Sequence, residues 1–279
     1  MKSYKNVINE TKEIVDFRAL IDVYEEIAAG KLLKIRTTII SVRDFYEGLR
    51  ELSLEVGSDF QSVLKHEEPT EAALFIAANG GLYGDIMQKT FQLFLSYVRQ
   101  HHTRNFVAGA LGIQFMSQYA KGVDFVSVPL PEDAGIEPIS AILQQLVSFH
   151  KISVFYSKFQ NIVVQEPLMG EVSGKMFPQG EEDLKALAKA HMRYIYEPAV
   201  YPVSEVFTKE ILKEVLEQLV LESQLARLAS RVMHLDQAID KSDLLIKKLV
   251  QEKQKIKKQM LEKKQNAMIT KIMRRSFAL

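Results

Sequence analysis

The C-terminal stretch from Val203 to Leu279 contains no Gly and no Pro, the residues that most often end helices. As one helix it is roughly 115 Å long at about 1.5 Å per residue. Apolar residues recur there at steps of four and three, which is a heptad pattern. This C-terminal seam comprises Leu228, Val232, Leu235, Ile239, Ile246, Leu249, Ile256, Met260 and Ala267, with Ser242, Lys253 and Lys263 interrupting it. So long a rod needs a partner helix or a partner protein.

The N-terminus carries a second heptad pattern, which predicts a long helix. This N-terminal seam comprises Ile14, Phe17, Ile21, Tyr24, Ala28, Lys31, Ile35, Thr38, Val42, Phe45, Leu49, Leu52 and Val56. Two seams at opposite ends of one chain bury both apolar stripes if they pair antiparallel. We therefore predict an antiparallel coiled coil from residues 1–60 and 203–279.

The middle of the chain, residues 70–200, predicts a central Rossmann-like α/β domain, because short apolar runs alternate with helical patterns. The predicted strands are Ala72–Ala78, Phe106–Gly112, Val123–Val128, Ile152–Phe159, Asn161–Gln165 and Met192–Tyr196. The predicted helices begin near Ile86 and span Ile113–Ala120 and Ile136–Phe149. The short connection after Phe159 indicates a hairpin, hence an antiparallel edge. The Gly-rich run Met169–Gly180 predicts a loop.

Composition excludes several classes of function. The chain has no Cys, which removes disulfides, thiolate metal sites and cysteine catalysis. It has no run of 18 apolar residues, so no membrane-spanning helix is expected. The mixed charges of the first residues argue against a signal peptide. A net charge of +1 conceals a basic segment, Lys247–Arg275, in which eleven Lys or Arg face two Glu. Such a segment is typical either of a solvated helix face or of contact with an acidic partner.

The glycine turn after the first predicted strand, Asn79–Gly84, is the best candidate for a phosphate cradle. It lacks both the GxGxxG spacing and the Lys-Ser/Thr of a P-loop, and Asp85 places a negative charge at the following helix start. A tight turn using Gly81 and Gly84 is the simpler interpretation. The six histidines show no metal-ligand spacing, and no nucleophile motif is present. We predict no catalytic site, no metal and no cofactor.

Several short motifs occur in order along nearly the whole chain. They are Ile27-Ala28-Ala29-Gly30-Lys31-Leu32, Gly81-Leu82-Tyr83-Gly84, Tyr194–Pro198, Ala229–Met233, Ala238–Ser242 and Asn266–Thr270. Together they resemble the gamma subunit of the F-type (rotary) ATP synthase, as a divergent member. In that order they are similar to the family's V-A-A-S-K-L, G-L-C-G, Y-x-(F/Y)-E-P, A-A-R-M, A-T-D-N-A and Q-A-x-I-T. Asn266 replaces the family's Gln.

The resemblance implies a rotor shaft that couples ion flow through a membrane c-ring to conformational cycling of an alpha/beta catalytic ring. It implies alpha, beta, epsilon and c-ring partners, no nucleic acid, and a peripheral position on the cytoplasmic face of a bacterial inner membrane. The chain would be a non-catalytic subunit of a proton- or sodium-translocating ATP synthase. Contacts with the catalytic ring would fall on Lys31, Lys253, Lys257, Lys258, Asn266 and Thr270.

Two other classes of function remain open from the residues. One is a non-enzymatic coiled-coil adaptor with an α/β head, which binds nucleic acid or protein through the basic segment. Aromatic residues for base stacking are missing there, with only Phe277 nearby. The other is a nucleotide-dependent enzyme of the head domain.

Overall fold

The computed structural model describes residues 4–60, 71–130, 136–146, 148–149, 151–173, 197 and 200–276. Two long helices, α1 (Tyr4–Phe60) and α5 (Val200–Ser276), lie at the ends of the chain. Between them are β1 (Glu71–Ile76), α2 (Ile86–Gln100), β2 (Arg104–Ala108), α3 (Ala110–Tyr119), β3 (Val126–Val128), α4 (Ile136–Leu146), β4 (Lys151–Phe159) and β5 (Gln165–Ser173). The predicted fold class is confirmed.

The five strands form one sheet in the order β3-β2-β1-β4-β5. The first four strands are parallel, and β5 pairs antiparallel with β4 as the edge strand. Leu74 in β1 lies opposite Phe106 on one side and Val154 on the other. Because β1 is central and covered on both faces, its sequence is a continuous apolar run rather than an alternating one.

Helices cover both faces of the sheet, so successive residues of β1 enter different cores. Leu74 and Ile76 join a core that includes Ile142 of α4 and Leu216 of α5. On the opposite face, Phe75 packs with residues of α2 and α3. Its ring lies 5.4 Å, centroid to centroid, from that of Phe94 in a stacked arrangement. The N-terminal end of α5 is therefore part of the sheet's own core.

The second predicted strand, Phe106–Gly112, was wrong at both ends, because β2 runs from Arg104 to Ala108 and α3 begins at Ala110. Gly109 lies between them with φ of 102°, a left-handed conformation that suits glycine. A Cβ atom on Gly109 would lie 2.9 Å from the backbone of Ala77, so the chain can turn here only without a side chain.

The prediction of a hairpin was right, but the predicted position of its second strand was wrong. The second strand is β5 (Gln165–Ser173) rather than Asn161–Gln165, so the predicted loop at Met169 begins inside a strand. Residues 161–164 form the turn instead. The Asn161 side-chain Oδ1 accepts hydrogen bonds from the backbone N–H groups of Val163 and Val164, at 2.9 and 2.8 Å, which closes this turn locally.

The remaining boundaries also shift. β3 is limited to Val126–Val128, α3 starts three residues earlier than predicted, and α4 ends at Leu146 instead of Phe149. The predicted strand at Met192–Tyr196 lies outside the described residues. By contacts, the chain forms two compact units, Met1–Ala28 with Val232–Leu279, and Ala29–Arg231. The division into residues 1–60, 70–200 and 203–279 stays a prediction.

In the first unit, α1 and α5 pair antiparallel, as predicted. Ile21 packs with Leu235 and Ile239. Three residues earlier in α1, the Arg18 Nε donates to Asp243 Oδ1 at 2.8 Å, further along α5. Contacts that move forward in α5 as they move backward in α1 define the antiparallel direction.

The predicted N-terminal seam was wrong at four of the ten members whose side chains the structure describes, and the side chains of Leu49, Leu52 and Val56 lie outside the described part. Ile14, Ile21 and Ala28 face inward, but the residues between them do not, since Phe17 is 56% and Tyr24 47% exposed. The inward side chains at those levels are the half-buried Arg18 and Glu25. At these levels the inward residue is the one that follows the predicted seam member. The same holds beyond residue 28, where Leu32 and Ile39 are buried while Thr38 and Phe45 are exposed. The heptad spacing is therefore real, but it includes polar residues that an apolar pattern skips.

The C-terminal seam is confirmed as far as Ile256. Leu235, Ile239 and Leu249 are buried, and Ser242, a predicted interruption, is also buried. Its hydroxyl donates to the carbonyl of Ala238 at 2.7 Å, so the polar group is satisfied within the helix. Beyond Ile256 the prediction was wrong for the seam's last members, because Met260 and Ala267 are exposed.

Candidate functional site

The C-terminal part of α5 extends beyond its partner helix. From Lys257 to Thr270 every side chain is exposed. The pairing of Arg18 with Asp243 places Tyr4, the first described residue of α1, at about the level of Lys257. Residues 257–276, hereafter the tip segment, therefore continue for roughly 30 Å without a described partner.

The tip segment is apolar as well as basic. Met260, Leu261, Met268, Ile269 and Met273 are all at least half exposed. Single exposed apolar residues are ordinary, but five within one short stretch of a helix are typical of a surface that contacts another protein.

The predicted contact residues of α5 fall into two groups. Lys253 is half-buried on the seam, whereas Lys257 and Lys258 are exposed where the tip segment starts. Asn266 and Thr270 are exposed and one helical turn apart, so they share a face. The Thr270 hydroxyl donates to the Asn266 backbone carbonyl at 2.8 Å, which leaves its oxygen able to accept from outside.

The glycine turn proves to be an attachment point for α5 within the second unit. Leu82 and Gly84 have φ of 66° and 59°, so the backbone turns through left-handed conformations here. Arg231 donates through Nη2 to the carbonyl of Gly81 at 2.6 Å, and the Ser230 hydroxyl donates to that of Tyr83 at 2.8 Å. The Arg231 guanidinium also lies 4.2 Å from the centre of the Tyr83 ring. These contacts hold α5 against the glycine turn.

A third polar contact extends this attachment to the strand itself. Arg227 is buried and donates through Nη1 to the carbonyl of Ala77 at 2.7 Å. Sequence reasoning missed Arg227 because its acceptor lies 150 residues away, although the matched motif at Ala229–Met233 contains the neighbouring Ser230 and Arg231. Lys31, the sixth predicted contact residue, is half-buried beside this attachment.

The shifted pKa values belong to structural positions. A hydrogen bond to Asp243 raises the pKa of Arg18, and burial raises the pKa of Glu214 above its ordinary value. Burial, with a smaller contribution from Glu222, raises the pKa of Tyr156 to about 12. Within the described residues no group of three or more His, Asp or Glu could hold a metal ion.

Comparison with known proteins decides the family. The family model described as ATP synthase matches residues 1–264. The chain belongs to the ATP synthase gamma-chain family. This gamma chain is 21% identical over 264 residues to the ATP synthase gamma chain of Halothermothrix orenii, with 89% of this chain and 91% of that protein covered. It is 23% identical to that of Caldicellulosiruptor saccharolyticus, with 90% and 89% covered.

Solved structures agree on the fold. A chain of the Euglena gracilis mitochondrial ATP synthase, in an assembly described as OSCP, F1 and c-ring in rotational state 3, superposes with a TM-score of 0.66 at 12% identity. That match covers 97% of this gamma chain and 93% of the other chain. A chain of the Tetrahymena thermophila central stalk and c-ring gives a TM-score of 0.58 at 16% identity, with 78% and 99% covered.

Proposed function

We propose that this gamma chain is the central rotor shaft of an F-type ATP synthase, with the tip segment inside a ring of alpha and beta subunits. The observation that carries the proposal is the exposed, basic and partly apolar end of α5 beyond Ile256. A helix that leaves its coiled-coil partner with such a surface requires contacts from other chains. Family membership favours this function over the adaptor that binds nucleic acid.

The coiled coil suits the shaft because two packed helices resist bending and twisting better than one. Ile21, Leu235 and Ile239 form its apolar contact, and the pair of Arg18 and Asp243 fixes the register beside it. Within the second unit, Ser230 and Arg231 attach α5 to the glycine turn.

The partners follow from this arrangement. The α/β unit would contact the epsilon subunit and the c-ring, and the tip segment would contact the alpha and beta subunits through Lys253, Lys257, Lys258, Asn266 and Thr270. Lys31 would contribute near the base of the coil. Across the described residues, no helix is long and apolar enough to cross a bilayer. We infer attachment to the cytoplasmic face of a bacterial inner membrane through the complex.

The lysines at the base of the tip segment provide the test. We expect the triple substitution of Lys253, Lys257 and Lys258 by Gln to weaken coupling of ATP hydrolysis to ion pumping. Each ionic contact of this kind contributes about 0.2–1 kcal/mol, so the three substitutions together remove ~0.6–3 kcal/mol of ring affinity at low salt. Added salt screens such contacts, so the difference from the unmodified complex narrows as ionic strength rises.

A matched control removes the same charge elsewhere. Gln at Lys89, Lys121 and Lys158, three exposed lysines of the α/β unit, leaves the tip segment unchanged. Both triple variants are assembled with the partner subunits and assayed for hydrolysis, pumping and salt dependence. Equal behaviour of the two variants would contradict the assignment of these lysines to the ring contact.

A further inference from the structure

Helix α1 carries a second apolar face, which its pairing with α5 leaves exposed. This face lies in the first unit and is hereafter the outer stripe. Its members are all about half exposed, and they are Phe17, Leu20, Val23, Tyr24 and Ile27. So many large apolar side chains within eleven residues are typical of a surface that another protein covers.

The spacing of the outer stripe fits another helix. Residues 17, 20, 24 and 27 follow one another at steps of three, four and three, which is the heptad spacing of a contact between helices. Helix α1 therefore has one seam for α5, which includes the buried Ile21, and a second seam beside it.

The charges around the outer stripe favour a basic helix. Residues 13–27 of α1 contain five Asp or Glu and one Arg, a net charge of −4. The pairing of Arg18 with Asp243 places residues 234–244 of α5 at the same level, and these contain three Asp and one Lys, a net charge of −2. Complementary charge across an interface steers association and disfavours wrong partners.

The chain itself contains such a helix in the tip segment. Residues 257–276 contain seven Lys or Arg and one Glu, a net charge of +6. Leu261 and Met268 are exposed and seven residues apart, so they lie on one face of the helix. The tip segment is longer than the outer stripe, which spans only roughly 15 Å. Because α5 is one continuous helix, the tip segment does not fold back onto its own copy.

We propose that the free chain forms an antiparallel dimer in which the tip segment of each copy lies on the outer stripe of the other. The centres of the two surfaces, at the levels of Ile239 and Asn266, are roughly 40 Å apart along one rod. A second copy that runs antiparallel therefore makes both contacts at once, with two-fold symmetry. The dimer covers the apolar side chains of the tip segment until partner chains bind it. This inference is independent of the rotor proposal.

Sedimentation equilibrium on the purified full chain tests the proposal. We expect a dimer in low salt, and we expect its dissociation constant to rise at least about tenfold in concentrated NaCl, because salt screens the opposite charges. Concentrated NaCl or dilution then gives the single chain, on which the pairing of α1 with α5 is measured without the dimer.

Two pairs of substitutions remove apolar contact from one surface each. Leu20→Gln with Ile27→Gln changes the outer stripe, and Leu261→Gln with Met268→Gln changes the tip segment. All four side chains are about half exposed or more and Gln is a good helix former, so both variants should fold. Each pair should raise the dissociation constant at least about tenfold, since two apolar side chains lose their burial.

A matched control changes the same residue types elsewhere on α1. Leu33 and Ile40 are 61% and 54% exposed and lie outside both surfaces. Leu33→Gln with Ile40→Gln should leave the dissociation constant unchanged.

Cysteine crosslinking tests which surfaces meet, because the chain has no Cys of its own. A mixture of Tyr24→Cys and Met268→Cys should form a disulfide-linked dimer under a mild oxidant. Neither variant alone should do so, since like positions lie far apart in the antiparallel dimer.

A chain that stays monomeric at every concentration in low salt overturns the proposal. A dimer that the stripe pair or the tip pair weakens no more than the control pair also overturns it. Crosslinking of either Cys variant with itself does the same, because the two copies then meet through other surfaces.

Discussion

The register of the coiled coil gives the sharpest prediction, because structure and apolar pattern disagree about Phe17. Ile21 is 6% exposed and packs on Leu235 and Ile239, whereas Phe17 is 56% exposed. Ile→Ala in a core costs roughly 2–5 kcal/mol, and one face of a two-helix coil lies at the low end of that range. The higher helix propensity of Ala offsets a few tenths of a kcal/mol of this loss. We therefore expect Ile21→Ala to cost ~2 kcal/mol.

Hydrogen exchange of the amide groups in residues 4–28 and 232–256 measures this cost locally. A loss of ~2 kcal/mol in the opening free energy speeds exchange about thirtyfold where opening of the coil limits it. Phe17→Ala, which removes a larger side chain four residues away, should cost less than ~0.5 kcal/mol. Comparable acceleration by the two substitutions would show that Phe17 lies on the seam and would refute the register described here.

Two further predictions concern charge. Arg18→Met, Asp243→Asn and their combination form a double-mutant cycle, in which we expect a favourable coupling in low salt that diminishes in concentrated NaCl; a coupling independent of salt would contradict a solvent-accessible ion pair. Burial raises the pKa of Tyr156 from 10 to about 12, so the folded state holds this proton more tightly than the unfolded state. Its contribution to stability is complete below pH 10 and is lost as the pH rises toward 12. The free energy of unfolding, measured with denaturant between pH 10 and pH 12, should therefore fall less steeply with pH for Tyr156→Phe than for the unmodified chain. Identical slopes for the two proteins would contradict this reasoning.

Sequence periodicity was sufficient for the main elements of the fold. The apolar run in β1 and the heptads of α5 are local patterns, so the sheet's central strand and the paired helices could be predicted. The position of α1 around its axis could not, because Arg18 and Glu25 occupy seam positions that a pattern of apolar residues does not include. Arg18 is accommodated there by a salt bridge to Asp243, which lies 225 residues away in the sequence.

The candidate site was predictable to a similar extent. The tip segment and its lysines follow from charge and from the lengths of the two seams. The attachment of α5 to the glycine turn does not, since Arg227 and Gln224 look like surface residues of a helix until the sheet covers them. Their burial depends on tertiary contacts across about 150 residues.

Direct observation of rotation tests the central claim. The chain has no Cys, so Lys121→Cys at an exposed site of the α/β unit gives a unique point for attaching a bead. The variant is assembled with alpha and beta subunits, the ring is fixed to a surface, and ATP is added. The rotor proposal predicts that the bead turns in one direction while ATP is present, and that it stops when ATP is removed. A stoichiometric complex that hydrolyses ATP while the bead stays still would contradict the proposal.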